Sequence, residues 1–212
     1  MNNPLFISYY TKNDYYQECS RNLKSMCDSL GIEIEIAEVR DLGSYWKNTL
    51  YKPTYILNKI KEKKVDLIWI DVDTKIKKYP DCFKKWDTDL LFSSHTGDLQ
   101  GIKASPIGFK YNDRCINFLE EWSKKCNGKI EKNDIDMDHD VLKYEIISDF
   151  CGKISLDVMK DGFNFKDFSD GEVIDNGISR GISKHQEVKI VMNKNRKRSY
   201  DFDKTSIQKF II

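Results

Sequence analysis

The chain has 212 residues, 40% of them hydrophobic and 33% charged, with a formal net charge of +1 at pH 7. That length supports one substantial core, and the composition is that of a soluble globular protein rather than a disordered one. The balanced charge excludes a global field that would commit the chain to nucleic acid or membrane, although local patches remain open.

No apolar stretch approaches the ~20 residues of a membrane helix, so no membrane span is expected. The first residues, MNNPLFISYY, carry neither a positive leader nor a small-residue cleavage site. The six cysteines, Cys19, Cys27, Cys82, Cys115, Cys126 and Cys151, contain no C-x-x-C pair. Free thiols and a cytoplasmic location are expected.

Residues 5–9 predict a first strand, followed by the polar turn Thr11-Lys12-Asn13-Asp14. Tyr16, Cys19, Leu23, Met26, Cys27 and Leu30 recur at three- and four-residue steps, one face of a helix that Gly31 is placed to end. Ile32, Ile34 and Ile36 alternate with Glu33 and Glu35, the period of a half-exposed strand. Strand, helix and strand in that order predict a parallel crossover. Residues 41–52 read as a loop carrying Gly43, Tyr45, Trp46 and Tyr51. Pro53 suits the first turn of a helix reaching about residue 64, with Tyr55, Ile56 and Ile60 inward.

Leu67, Ile68, Trp69 and Ile70 form an unbroken apolar run, and Asp71, Val72 and Asp73 follow at once. Such a run suits a strand buried on both faces of a largely parallel sheet. Carboxylates at i and i+2 share one side of an extended chain. At the carboxyl end of a central strand they would point into the crevice where open α/β sheets bind ligands. Two converging acids repel each other unless a cation lies between them, and Mg²⁺ or Mn²⁺ bridges carboxylates to substrate phosphates. The spacing leaves two readings open, a metal-diphosphate site or a strand exit with solvated aspartates.

A shorter strand is expected at 89–92 and a longer one at 102–109, with Pro106 at a break or an edge. Cys115, Leu119, Trp122 and Cys126 mark one face of a long helix ending near Gly128. The acidic stretch 131–140 leads into a helix reaching about residue 150, and 154–159 reads as a strand. Residues 161–181 read as loop, 188–192 as a last strand, and the segment after it carries Lys194, Arg196, Lys197 and Arg198. One domain over 1–192 and a polar, basic tail over 193–212 are expected.

With these residues in place, the chain resembles the nucleotide-diphospho-sugar transferases, glycosyltransferases of the GT-A type, most of all their small bacterial and phage members. W-K-N-T-L-Y-K-P-T-Y-I-L at 46–57, L-I-W-I-D-V-D-T at 67–74 and Y-P at 79–80 carry it in order. Ser105-Pro106-Ile107-Gly108-Phe109 before a helix with Trp122 is a second match. Asp138-His139-x-x-Leu142 is a third, with His where the family has Gln. Glu172-Val173-Ile174-Asp175-Asn176 is a fourth, with Asn176 near the family's histidine. The resemblance implies an α/β fold: a single GT-A-like, Rossmann-type domain with a mostly parallel central sheet flanked by helices. It also implies metal-dependent transfer of a sugar, from a UDP-sugar foremost, to an acceptor hydroxyl.

On that resemblance Asp73 ligates Mn²⁺ or Mg²⁺, and Asp71 helps through the metal or the ribose. Asp138 faces the sugar and the acceptor hydroxyl, although an aspartate at that place is also an ordinary helix N-cap. Tyr9, Thr11 and Tyr16 flank the end of the first strand, where the base and ribose would bind; Tyr16 also suits a core position. Lys52 could reach a phosphate or an acidic residue, or stand in solvent. Gly108 on a strand suits close approach by a ligand. The third metal ligand is His185, Asn176, or water and phosphate beside the carboxylates, with His95 a weaker choice. Arg180, Lys184 and the basic run could close over the diphosphate or meet a polyanionic acceptor. The acceptor is a glycan, lipid-linked or protein group, or a hydroxylated base in DNA. Two rivals stand beside transfer. One is a binding module without chemistry. The other is a nucleotidyltransferase, which should carry a Gly-rich phosphate loop where this chain has Ser8-Tyr9-Tyr10-Thr11-Lys12.

Overall fold

The structure is a computed structural model, and it describes residues 3–84, 86–94, 97–159 and 174–176. Strand β1 (Leu5–Thr11) leads into helix α1 (Asp14–Ser29). The Asn13 side chain caps that helix by accepting from the Tyr16 amide at 2.8 Å. Gly31 adopts φ 65° beyond its end, the left-handed turn expected there. Strand β2 (Ile34–Val39) then runs parallel to β1 at the sheet edge, which explains its half-buried pattern.

Residues 41–52, expected as loop, contain helix α2 (Tyr45–Leu50). The Ser44 hydroxyl accepts from the Lys47 amide at 3.4 Å and starts it. Helix α3 (Lys52–Lys63) follows, with Pro53 in its first turn and Lys64 at φ 55° closing it. Tyr55, Ile56 and Ile60 are buried, as their spacing predicts.

Strand β3 (Leu67–Trp69) is shorter than its apolar run. The Thr74 amide donates to the Asp71 carbonyl at 3.0 Å, so the chain turns at 71–74. Asp71 and Asp73 therefore do not lie on one extended strand, and the same-side argument from alternation is corrected. After the turn, β4 (Thr74–Ile76) pairs antiparallel with β8 (Ile174–Asn176), in the stretch expected as loop. Strand β5 (Leu90–Ser94) and strand β6 (Ile102–Phe109) pair antiparallel. Pro106 lies in β6 just past the last β3 partner, Ile107, and beside a register shift with β5, so it interrupts no ladder bond to β3.

Helix α4 (Asp113–Glu131) runs three residues past Gly128. Helix α5 (Asp138–Val141) continues through a π turn (Leu142–Ile146) into α6 (Ile147–Phe150), and β7 (Leu156–Val158) follows. The main sheet has the order β2-β1-β3-β6-β5-β7, and β6 alone runs against the rest. This is the mostly parallel α/β sheet that the sequence predicts.

Alternate residues feed cores on the two faces. Leu5, Ile7, Leu67 and Trp69 join Ile56, Ile60, Phe118 and Trp122 under α3 and α4. Phe6 and Ile68 join Leu23, Cys27, Phe83 and Trp86 under α1. All six cysteines are free. Among the described residues no helix is long and apolar enough to cross a membrane. The expected strand at 188–192, the tail from 193 and the boundary between domain and tail lie outside the described residues.

Candidate active site

Strands β1 and β3 are parallel, so both end at the same edge of the sheet. Antiparallel β6 begins at that edge. This geometry brings the turn after β3, the start of α3 and the first residues of β6 together. The Asp71 amide donates to the Ser105 hydroxyl at 2.8 Å, which pins the turn to β6. The Trp69 indole donates to Asp71 Oδ1 at 2.9 Å.

Lys52 does not stand in solvent. It is 5% exposed, and its Nζ lies 3.0 Å from Asp71 Oδ1 and 2.7 Å from Asp138 Oδ2. The same ammonium donates to the Ala104 carbonyl at 3.2 Å and sits 5.4 Å from the centre of the Trp69 ring. Of the three sequence readings for this lysine, the acidic partner is the one observed. Burial alone would lower the Lys52 pKa, but Asp138 and Asp71 outweigh it and hold the group charged, above its ordinary value.

Asp138 is 3% exposed and occupies the first position of α5. Met137 is the N-cap residue and makes no side-chain cap bond, so the capping role expected for Asp138 is corrected. Its carboxylate turns inward to Lys52, and its carbonyl accepts from the Trp122 indole at 3.2 Å. The Lys52 contact is one of charge more than alignment, because Oδ2 accepts no well-angled hydrogen bond. Burial raises the Asp138 pKa above the usual carboxylate range, Lys52 opposes that rise, and the Asp71 charge adds to it. Three separate motifs, K-P, D-x-D and D-H, thus meet through one ammonium.

Aromatic side chains border this cluster. Tyr9 lies half-buried against Tyr51, Tyr55 and Trp69, and its hydroxyl donates to the Asn48 carbonyl at 2.5 Å. Burial, then the charges of Asp138 and Asp71, push its pKa up. Tyr16, in the first turn of α1, is raised by burial, then by Tyr45 and by the Asp73 charge. Tyr15 is pushed up to about 12 by burial, with Cys19 and Asp73 adding. Tyr45 is a further member, which the sequence places in a loop without a role. Burial and then the charges of Asp71 and Asp138 push its phenol up to about 12. Thr11 is buried at the end of β1, opposite Val39.

Gly108 serves packing. A Cβ there would stand 3.4 Å from both Phe83 and Trp86. The missing side chain makes room for two rings on the α1 face, so the close neighbours seen at this strand glycine are Phe83 and Trp86. Lys184, His185, Arg180 and His95 lie outside the described residues. Asn176 pairs through its backbone with Thr74, next to Asp73, so one of the expected third ligands is brought to the turn after β3.

Among the described residues no three His, Cys, Asp or Glu side chains form a metal-ligand group. Asp71 and Asp73 nevertheless supply hard oxygen donors of the kind Mg²⁺ and Mn²⁺ take, one or two carboxylates with phosphates and water completing the shell. Asp71 is held in place by the Trp69 indole and the Lys52 ammonium, partners of the kind that orient a carboxylate. By the chemistry of their oxygens the two carboxylates suit such an ion.

No family profile and no curated protein sequence matches the chain. Solved structures do. A glycosyltransferase involved in glycosylation of the major capsid of PBCV-1 matches with TM-score 0.60 and 11% identity, over 89% of this chain and 98% of that one. The glycosyltransferase GlyE of Streptococcus pneumoniae TIGR4 matches with TM-score 0.49 and 12% identity, over 78% of this chain and 47% of that one. The first of these gives the chain a glycosyltransferase-like fold.

Proposed function

We propose that the chain transfers a sugar from a nucleotide diphosphate sugar, a UDP-sugar foremost, to an acceptor hydroxyl with the help of Mn²⁺ or Mg²⁺. The observation that carries this reading is the convergence of Asp71 and Asp138 on Lys52, at the carboxyl edge of β1 and β3. Open α/β sheets bind ligands at that edge, and the fold is one that glycosyltransferases use.

Asp71 and Asp73 would hold the divalent ion, with His185 or Asn176 as the candidate third partner. When bound, the ion offsets the charge left on the diphosphate as the anomeric C–O bond breaks. Tyr16 and Tyr45 offer flat, partly buried rings beside the acids, suited to the base and ribose. The acceptor hydroxyl gives its proton to the Asp138 carboxylate as its oxygen bonds to the anomeric carbon; the diphosphate oxygen leaves with the electron pair. A carboxylate whose pKa is raised by burial is a stronger base than an exposed one. Lys184 would close over the diphosphate or meet a polyanionic acceptor. A glycan, lipid-linked or protein acceptor is the first choice and a hydroxylated DNA base the second.

The test is a screen of sugar nucleotides for hydrolysis or transfer, with Mn²⁺ and with a chelator. Metal-dependent turnover of at least one donor supports the reading. Binding of UDP with no turnover of any donor would leave a binding module and sink it.

A further inference from the structure

Acids that converge need a cation, and this chain provides one of its own. Lys52 Nζ touches both Asp71 and Asp138, is 5% exposed, and has a carbonyl and an indole face as further neighbours. A lysine directed at a substrate phosphate would present its ammonium to the crevice. The donors of this one are already engaged by Asp71, Asp138 and the Ala104 carbonyl, and its position at the start of α3 is the wrong end of a helix for a cation. The two carboxylates, with the carbonyl and the indole face beside them, offset that placement.

We infer that Lys52 is a positioning residue, the resident counter-ion that keeps Asp71 and Asp138 converged when no divalent ion is bound. The site is then assembled before metal and donor arrive. One positive charge meets two negative ones, so the pair of acids keeps net attraction for a further cation. Removing the ammonium leaves buried Asp138 without its ion partner and releases the hold on Asp71, so the arrangement comes to depend on added metal. The inference rests on the proposed function only in taking Asp71 as part of a divalent-ion site. Its test reads melting rather than turnover, so a chain without transferase activity would defeat that function and leave this test standing.

The experiment follows thermal melting of the full chain against MnCl₂ alone, for wild type, Lys52→Met and the double variant Lys52→Met/Asp138→Asn. Lys52→Met should melt about 10 °C below wild type without metal. Saturating Mn²⁺ should raise it by several degrees more than it raises wild type. The double variant, which removes the stranded charge as well, should recover most of the metal-free loss. If Lys52→Met is insoluble, a soluble double variant gives the same support, whereas failure of both to fold shows that Lys52 acts by packing and overturns the inference. Equal Mn²⁺ shifts in wild type and Lys52→Met also overturn it. So does a Lys52→Met chain with unchanged melting and a raised KM for donor, the signature of a phosphate-binding lysine.

Discussion

Asp89 is 3% exposed, and its carboxylate accepts five hydrogen bonds. Oδ2 takes Arg114 Nε at 2.8 Å, the Ser155 amide at 2.9 Å and the Ser155 hydroxyl at 2.8 Å; Oδ1 takes Arg114 Nη2 at 2.8 Å and Asn112 Nδ2 at 2.7 Å. One side chain thus ties the start of α4 to the segment before β7 and fixes the outer half of the sheet. In Asp89→Asn one acceptor oxygen becomes a donor, so two charged hydrogen bonds are lost and donors face each other. Each is worth about 1.5–3 kcal/mol, and the exposed Arg114 recovers part of its share from water. The net loss should be about 3 kcal/mol, or roughly 10 °C in Tm for a domain of this size. Arg114 foremost, against the cost of burial, holds the Asp89 carboxyl well below the usual carboxylate range. Its stabilisation is therefore complete above the unfolded pKa near ~3.9 and is lost as pH falls toward the folded value. Urea unfolding at pH 7 and pH 3 is the assay. The gap between wild type and variant should narrow by about 1 kcal/mol at the lower pH. Equal midpoints at pH 7, or a gap that ignores pH, would mean that the Asp89 carboxylate does not stabilise the fold through these bonds.

Asp138→Asn should lower kcat by about 10²–10³ while leaving donor Kd within a few fold, because the acceptor proton loses its carboxylate. In wild type, activity should rise with pH through a value above the ordinary carboxylate range, and that limb should vanish in the variant. Gly108→Ala should cost about 1–3 kcal/mol by forcing the Phe83 and Trp86 rings to shift, with no separate effect on donor binding. Chemical unfolding beside UDP calorimetry checks both parts.

Much of the fold is legible because its signals are local. The apolar run at 67–70 and the stripe Cys115, Leu119, Trp122 and Cys126 each fall where their spacing places them. Helix α2 is not legible, since six residues with three polar side chains give no periodicity and only Ser44 marks its start. The three-residue strands β4 and β8 are too short to alternate. The site is legible in its parts and not in its wiring. Lys52, Asp71 and Asp138 are each visible as candidates, but their meeting depends on β6 running antiparallel and on α5 turning inward, which no local pattern encodes. Gly108 shows the reverse failure. A strand glycine signals a close neighbour, and the sequence alone does not separate a ligand from a tryptophan ring.

The proposed transfer depends on a carboxylate-held divalent ion that receives a nucleotide diphosphate. Calorimetry of UDP with and without Mn²⁺, on wild type and Asp73→Asn, addresses it directly. Wild type should bind UDP at least 10-fold more tightly with Mn²⁺, and Asp73→Asn should lose that gain while keeping its metal-free affinity and its Tm. UDP affinity that is indifferent to Mn²⁺ in wild type, or an undiminished Mn²⁺ effect in Asp73→Asn, would contradict it.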